Sequence, residues 1–324
     1  MKQIPSADAH VHLEDLELDE GNFRTLVSVL QTLIEELEQD CSLDEPGRLR
    51  QRLEALDCLE AHLPNGQAQV RDAESSQEAE LHHRAEAIYA RLEAVNYTIY
   101  RTIRRDIQRG AGTESLLQWV IASAEDGHHA SRASGERYDY LDELISGVLE
   151  FEEPCTGVAE LPPEMVFYQP TPARHILDLI ERAALTERDV LVDLGSGMGH
   201  VPLLASICSG TRSIGIELEA AYVNCAQRSA RALNLTQVTF IQQDAQVADL
   251  SSGTVFYLYT PFTGTIMRAV LDSLRQEAMG REIRICTFGP CTPIIAKERW
   301  LQATGTVESN RTVIFRSLLF PTGR

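Results

Sequence analysis

The residues best placed to do chemistry stand between positions 168 and 262. An apolar run, Val190-Leu191-Val192, ends in Asp193 and passes into Leu194-Gly195-Ser196-Gly197-Met198-Gly199. Glycines at a strand-to-helix turn let the backbone approach a ligand closely. A dinucleotide loop has the spacing G-x-G-x-x-G. Counted from Gly195, the third position of that pattern is His200, and the third glycine stands at 199 instead. The aspartate before the loop repels a pyrophosphate and suits a ligand that carries an ammonium. A second acid, Glu217, closes the run Arg212-Ser213-Ile214-Gly215-Ile216, 24 positions after Asp193. Folds of this kind place an acid about 20 residues on, where it binds ribose hydroxyls. A third acid, Asp244, follows Val238–Gln242 and precedes Ala245; there a carboxylate accepts from an adenine amino group. Ammonium, ribose and adenine together describe S-adenosyl-L-methionine.

The fourth apolar run ends in Tyr259-Thr260-Pro261-Phe262, at the ligand end of the strand. Tyr259 and Phe262 are expected at the site, because a sulfonium is a cation that aromatic faces attract. Phe256 and Tyr257 are expected in the sheet core. Upstream stands Tyr168-Gln169-Pro170-Thr171-Pro172. The expected catalytic residues are Tyr168, Tyr259 and Thr260. The expected cofactor contacts are Thr171, Asp193, Gly195, Ser196, Gly197, Gly199, Glu217, Asp244, Ala245, Pro261 and Phe262. No side chain stands out as a general base.

The elements that must position these residues are short apolar strands alternating with helices from about 173 onward, the texture of a parallel sheet flanked by helices. The tail is expected to add a hairpin, Thr306–Glu308 with Val313–Leu319. Before this domain, residues 151–172 carry Pro154, Pro162, Pro163, Pro170 and Pro172 and read as a stiff connection. Residues 21–150 repeat apolar side chains at three and four positions and read as an all-helical domain. Residues 1–20 read as an acidic arm. The fold expected is α/β: a Rossmann-like seven-stranded sheet with an N-terminal all-helical domain.

Charge divides along the same line. Residues 1–160 hold 33 acidic and 14 basic side chains and residues 161–324 hold 15 of each, which together give the net charge of −19. That balance disfavours nucleic acid as a partner, since phosphate attraction needs a basic field. No apolar run reaches the roughly 20 residues that span a bilayer, so no membrane association and a cytoplasmic location are expected. Seven cysteines without a CxxC pair imply neither a disulfide framework nor a zinc site, and no metal is expected. Asp8-Ala9-His10-Val11-His12, His82-His83 and His128-His129 lack further ligands at metal spacing. Arg101, Arg104, Arg105 and Arg109 share a helix face and are expected to be paired or solvated.

On the motifs DLGSGMG, GIELE, QQDA and YLYTPF, residues 164–319 resemble the class I S-adenosylmethionine-dependent methyltransferases. The Y-x-P-T-P stretch before DLGSG is similar to the seven-strand lysine methyltransferases of the non-SET type. In those families this segment helps cover the cofactor. The fourth-strand end departs from the [DNS]-P-P-[YF] of nucleic-acid amino-methyltransferases, because Thr260 stands first and one proline is missing. The resemblance implies a methyltransferase acting on a small molecule or a protein side chain, with the helical domain capping the site; homodimerisation is compatible with it. Two alternatives share the cofactor. One is cyclisation of S-adenosylmethionine with release of methylthioadenosine, as in the azetidine-2-carboxylate synthases, which also resemble this chain in a helical part before DLGSG. The other is a non-catalytic scaffold that binds the cofactor.

Overall fold

The computed structural model describes residues 20–62, 76–125, 139–151 and 168–318. The acidic arm, the His10 and His12 pair, His128-His129 and most of the proline-rich connection lie outside them.

By proximity the chain divides into residues 1–96 and 97–324, inside one long helix. The first unit holds α1 (Glu20–Gln39), α2 (Leu49–His62) and the start of α3 (Ser76–Gln108). Its apolar stripe closes into a core of Ile34, Leu37, Leu43, Leu56, Leu59, Leu81, Ile88 and Leu92, as amphipathic periodicity requires. Arg52 is fully buried there. Its guanidinium donates to Asn96 Oδ1 at 2.7 Å and to the carbonyls of Leu43, Glu45 and Pro46, which fastens the two short turns that precede α2.

The second unit contains the end of α3, α4 (Gly112–Glu125), α5 (Tyr140–Leu149), α6 (Ala173–Arg182) and a seven-stranded sheet. The strands are β1 (Val190–Leu194), β2 (Arg212–Glu217), β3 (Val238–Gln242), β4 (Val255–Leu258), β5 (Arg284–Thr287), β6 (Leu301–Ala303) and β7 (Val313–Ser317), in the order β3-β2-β1-β4-β5-β7-β6. β1 to β5 run parallel, β7 is antiparallel to β5, and β6 is antiparallel to β7. α7 (His200–Ser209), α8 (Ala220–Ala232), α9 (Gly264–Gly280) and α10 (Thr292–Ile295) connect them. β1 and β4 are buried along their whole length, as strands covered on both faces must be. The edge strand β3 alternates, burying Val238 and Phe240.

This is the α/β sheet with a helical N-terminal region that the sequence implies. Two expectations change. The tail hairpin begins at Leu301–Ala303, not Thr306–Glu308, because register with β7 pairs Ala303 with Phe315 and leaves 306–308 in the connection. The helical region is also not one block, because the division falls within α3 and puts α4 and α5 with the sheet. Ser229 Oγ donates to the Leu149 carbonyl at 2.8 Å and Thr113 Oγ1 to that of Ile207 at 2.7 Å. These bonds satisfy carbonyls at helix ends, which otherwise stay orphaned.

Candidate cofactor and acceptor site

Asp193, Glu217 and Asp244 stand at or just beyond the C-terminal ends of three adjacent parallel strands, the place where open α/β sheets bind ligands. Asp193 is only 4% exposed. Burial, and secondarily the charge of Glu217, push its carboxyl well above the ordinary range. A buried acid in that condition is one that a cationic ligand would return to its charged form. Glu217 Oε1 accepts from the Leu218 and Glu219 amides, and Oε2 from the Gly197 amide at 2.8 Å. Its carboxylate therefore ties the end of β2 to the glycine loop. Oε2 keeps acceptor capacity for a hydroxyl. Asp244 caps the short turn Ala245–Val247 through the Gln246 amide at 2.9 Å.

The loop closes on itself and on two neighbours. The Gly195 and Ser196 amides both donate to the Ile216 carbonyl. Gly195 has φ +84°, and a Cβ there would lie 2.3 Å from Pro261 Cβ. Gly197 has φ +52°, and a Cβ there would lie 2.0 Å from the Tyr168 ring. Glycine is thus required at both positions, by backbone conformation and by close approach. Ser196 Oγ is buried without a hydrogen-bond partner among the described residues, a polar atom left for a ligand or water to satisfy.

Tyr168 lies across Gly197, 4.9 Å from the ring of Tyr222, and its hydroxyl is 3.1 Å from His200 Nδ1. Burial pushes the His200 imidazole down to about 4, so it is neutral, and Phe151 covers it at 4.5 Å. Thr171, expected on the cofactor, is buried, and its hydroxyl pairs with that of Tyr257 at 3.1 Å. Its structural part is to dock the Y-x-P-T-P segment on the sheet. Tyr257 and Phe256 are sheet core, as expected. The next helix, α6, receives its N-terminal cap from another element: Asp142 Oδ1 of α5 accepts from the Ala173 amide at 2.7 Å, and Arg174 pairs with Asp139.

Beyond β4 the outcome is mixed. Pro261 lies on the glycine loop as described. Phe262 is 3% exposed and belongs to the core with Met267, Leu271 and Trp300. Tyr259 stacks on Phe288 at 4.9 Å, and Phe288 on His175 at 4.1 Å. This aromatic row joins the ends of β4 and β5 to α6. Thr260 takes φ +45° and accepts from the Cys291 amide at 3.0 Å.

Sequence reasoning passed over His200, Phe151, Tyr222, His175 and Phe288. His200 directly follows the glycine loop and was open to recognition from that adjacency; the others come from distant positions and carry no local signal. Of the helical region, α5 reaches α6 where it starts, beside the site. The end of α3 and the start of α4 meet the far ends of α8 and α7, through Gln108 on the Ala232 carbonyl and Thr113 on that of Ile207. Tyr100 packs on Gly147 of α5, and Tyr97 is exposed beside Arg101. Arg104 pairs with Glu150. No group of acidic, histidine and cysteine side chains suited to a metal ion occurs among the described residues, and no helix among them is long and apolar enough to cross a membrane.

Residues 166–253 match the family model described as histone methylation protein DOT1. That stretch contains Tyr168, the glycine loop, Glu217 and Asp244. Solved structures similar to the chain include an RNA methyltransferase from Salinibacter ruber in complex with S-adenosyl-L-homocysteine, 26% identical, covering 48% of this chain and 97% of that one with a TM-score of 0.40. Another is precorrin-6y C5,15-methyltransferase from Geobacter metallireducens, 15% identical over 48% and 93% with a TM-score of 0.37. A third is a SAM-dependent methyltransferase from Geobacter sulfurreducens in complex with S-adenosyl-L-homocysteine, 22% identical over 35% and 47% with a TM-score of 0.30. No curated protein matches the sequence.

Proposed function

We propose, from the resemblance of the C-terminal half to the class I S-adenosylmethionine-dependent methyltransferases, that this protein transfers a methyl group from S-adenosylmethionine to a protein side chain. The observation that carries the cofactor assignment is the run of Asp193, Glu217 and Asp244 at adjacent strand ends around a glycine loop. In this reading the cofactor's ammonium goes to the buried Asp193, its ribose to Glu217, and its adenine to the turn at Asp244 and Ala245. The residues present suit that ligand: Asp193 is a buried acid whose charged form a cation would restore, and Ser196 Oγ lacks a partner among the described residues. When bound, the cofactor supplies an activated methyl group.

What the chain itself contributes is position and dryness. Tyr168 and Phe151 cover the loop from the side of α7 and α8. The row Tyr259, Phe288 and His175 walls the other side, with ring faces that favour a cationic or polarisable acceptor. Aligned attack in such a site can carry effective molarities of roughly 10⁵ M or more, so no strong base is needed for an acceptor that arrives deprotonated. The match to a histone-methylation family supports a protein side chain as acceptor. The acidic N-terminal half is suited to drawing in a basic partner. Of the helical region, the part we assign to the site is α5 through Phe151. The test is incubation of purified protein with methyl-labelled S-adenosylmethionine and a panel of basic proteins. Label in protein together with S-adenosyl-L-homocysteine supports the proposal. Failure of the protein to bind S-adenosyl-L-homocysteine at all would end it.

A further inference from the structure

We infer that Thr260 is a positioning residue whose turn sets both walls of the site at once: through its hydroxyl it holds Pro261 on the glycine loop and Tyr259 on Phe288. The inference rests on the cofactor assignment above. Thr260 is β-branched, yet its φ is +45°, a conformation in which such a side chain is strained. Glycine or asparagine would occupy that backbone with less cost. The presence of threonine is explained by what its side chain does: Oγ1 accepts from the buried Cys291 amide at 3.0 Å. That amide opens the short helix after β5, and the same residue's thiol approaches the Leu258 and Phe288 carbonyls at 3.5 and 3.4 Å. The end of β4 and the segment Gly289–Cys291 are therefore one fastened unit.

The turn's two flanks lead to opposite sides of the site. On one flank, Pro261 sits so close over Gly195 that a Cβ there would be 2.3 Å away. On the other, Tyr259 stacks on Phe288, which stacks on His175. Gly289 is packed into the same joint, since a Cβ there would lie 3.0 Å from the Tyr259 ring and 3.1 Å from Thr260 Oγ1. If the hydroxyl bond is lost, the strained φ loses its fastening, and relaxation moves Pro261 off the loop. The hydroxyl is therefore occupied in fixing geometry, and its contribution to ligand affinity passes through Pro261 rather than through contact with the acceptor.

Calorimetric titration of the full chain with S-adenosyl-L-homocysteine tests this, using Thr260→Val, Thr260→Ser and a control, Val270→Ala. Val270 is fully buried in α9 and takes no part in the hydrogen bonds of the turn, so its truncation lowers the thermal midpoint without removing the Thr260 fastening. The expected result is at least tenfold weaker binding for Thr260→Val. Thr260→Ser, which keeps the acceptor, stays within about twofold of the parent, as does Val270→Ala. Parent-like affinity for Thr260→Val overturns the inference, and so does a Thr260→Ser loss as large as that of valine. Equal weakening by Val270→Ala overturns it too, by showing that affinity merely tracks stability. A parent chain that binds no S-adenosyl-L-homocysteine defeats the cofactor assignment and this inference with it, an outcome distinct from the other three.

Discussion

Asp193 and Glu217 show how much a single carboxylate can be asked to do. Glu217 anchors the Gly197 amide and two amides of its own turn while facing the place assigned to the ribose. Glu217→Ala is expected to weaken S-adenosyl-L-homocysteine binding by about 1–3 kcal/mol through loss of charge-assisted hydrogen bonds. Calorimetry measures this, and unchanged affinity would remove Glu217 from the site. Asp193 makes binding depend on pH. Burial lifts its carboxyl well above the ordinary 3.8, so the folded chain favours the protonated acid. Its contribution to stability is present at and below that ordinary value and is lost as pH rises through the lifted one. A bound ammonium restores the charged form, so cofactor binding should release a proton at pH below the lifted value and tighten as pH rises through that window. Titrations in two buffers of different ionisation enthalpy will report the proton; equal heats would mean that Asp193 does not change state.

At the scale of elements, the site is assembled by parts that complete one another. α6 begins without a side-chain cap of its own, and α5 supplies one through Asp142. Asp142→Ala should cost about 1–2 kcal/mol, the usual price of a lost N-cap, seen as a lower midpoint in thermal denaturation. A midpoint equal to that of the parent would show that water replaces the bond at no loss. The glycine loop depends in the same way on the segment in front of α6. Gly197→Ala places a methyl group in the Tyr168 ring at a φ that alanine resists, so it should displace Tyr168 and weaken S-adenosyl-L-homocysteine binding more than tenfold. Fluorescence or calorimetric titration gives the number, and retention of parent affinity would show that Tyr168 is not part of the cofactor's cover.

Across the whole molecule, the residues assigned to the site fall in the second of the two units. Every side chain placed at the site lies at or after Asp139, and the second unit starts at Tyr97. A chain beginning at Tyr97 is therefore expected to keep S-adenosyl-L-homocysteine binding. One beginning at Tyr168 should lose stability and affinity, because it lacks the Asp142 cap, the Leu149 carbonyl that Ser229 uses and the cover of Phe151. Circular dichroism and calorimetry on the two fragments decide this, and equal behaviour would mean that α4 and α5 are dispensable. The chemistry is read from the product. Transfer to an acceptor yields S-adenosyl-L-homocysteine, whereas acceptor-free turnover to methylthioadenosine, detected by mass spectrometry, would replace the proposed function with cyclisation.

The amino-acid sequence by itself determined strands β1 to β5, the glycine loop and the three strand-end acids. All of these are local: an apolar run of four or five residues ending in an acid needs no distant partner to be recognised. It also identified Phe256 and Tyr257 as core, because both faces of a central parallel strand are covered. Only the tertiary structure decided which aromatic side chains meet. His175, Phe288 and Tyr259 come from three elements, and their contacts depend on β4 and β5 lying side by side with α6 across their ends. The same holds for Phe262, which follows the motif yet points into the core, because the left-handed turn at Thr260 redirects the chain. A φ angle of that sign in a threonine accompanies the bond to Cys291, 31 positions away, and no local preference in the sequence encodes it.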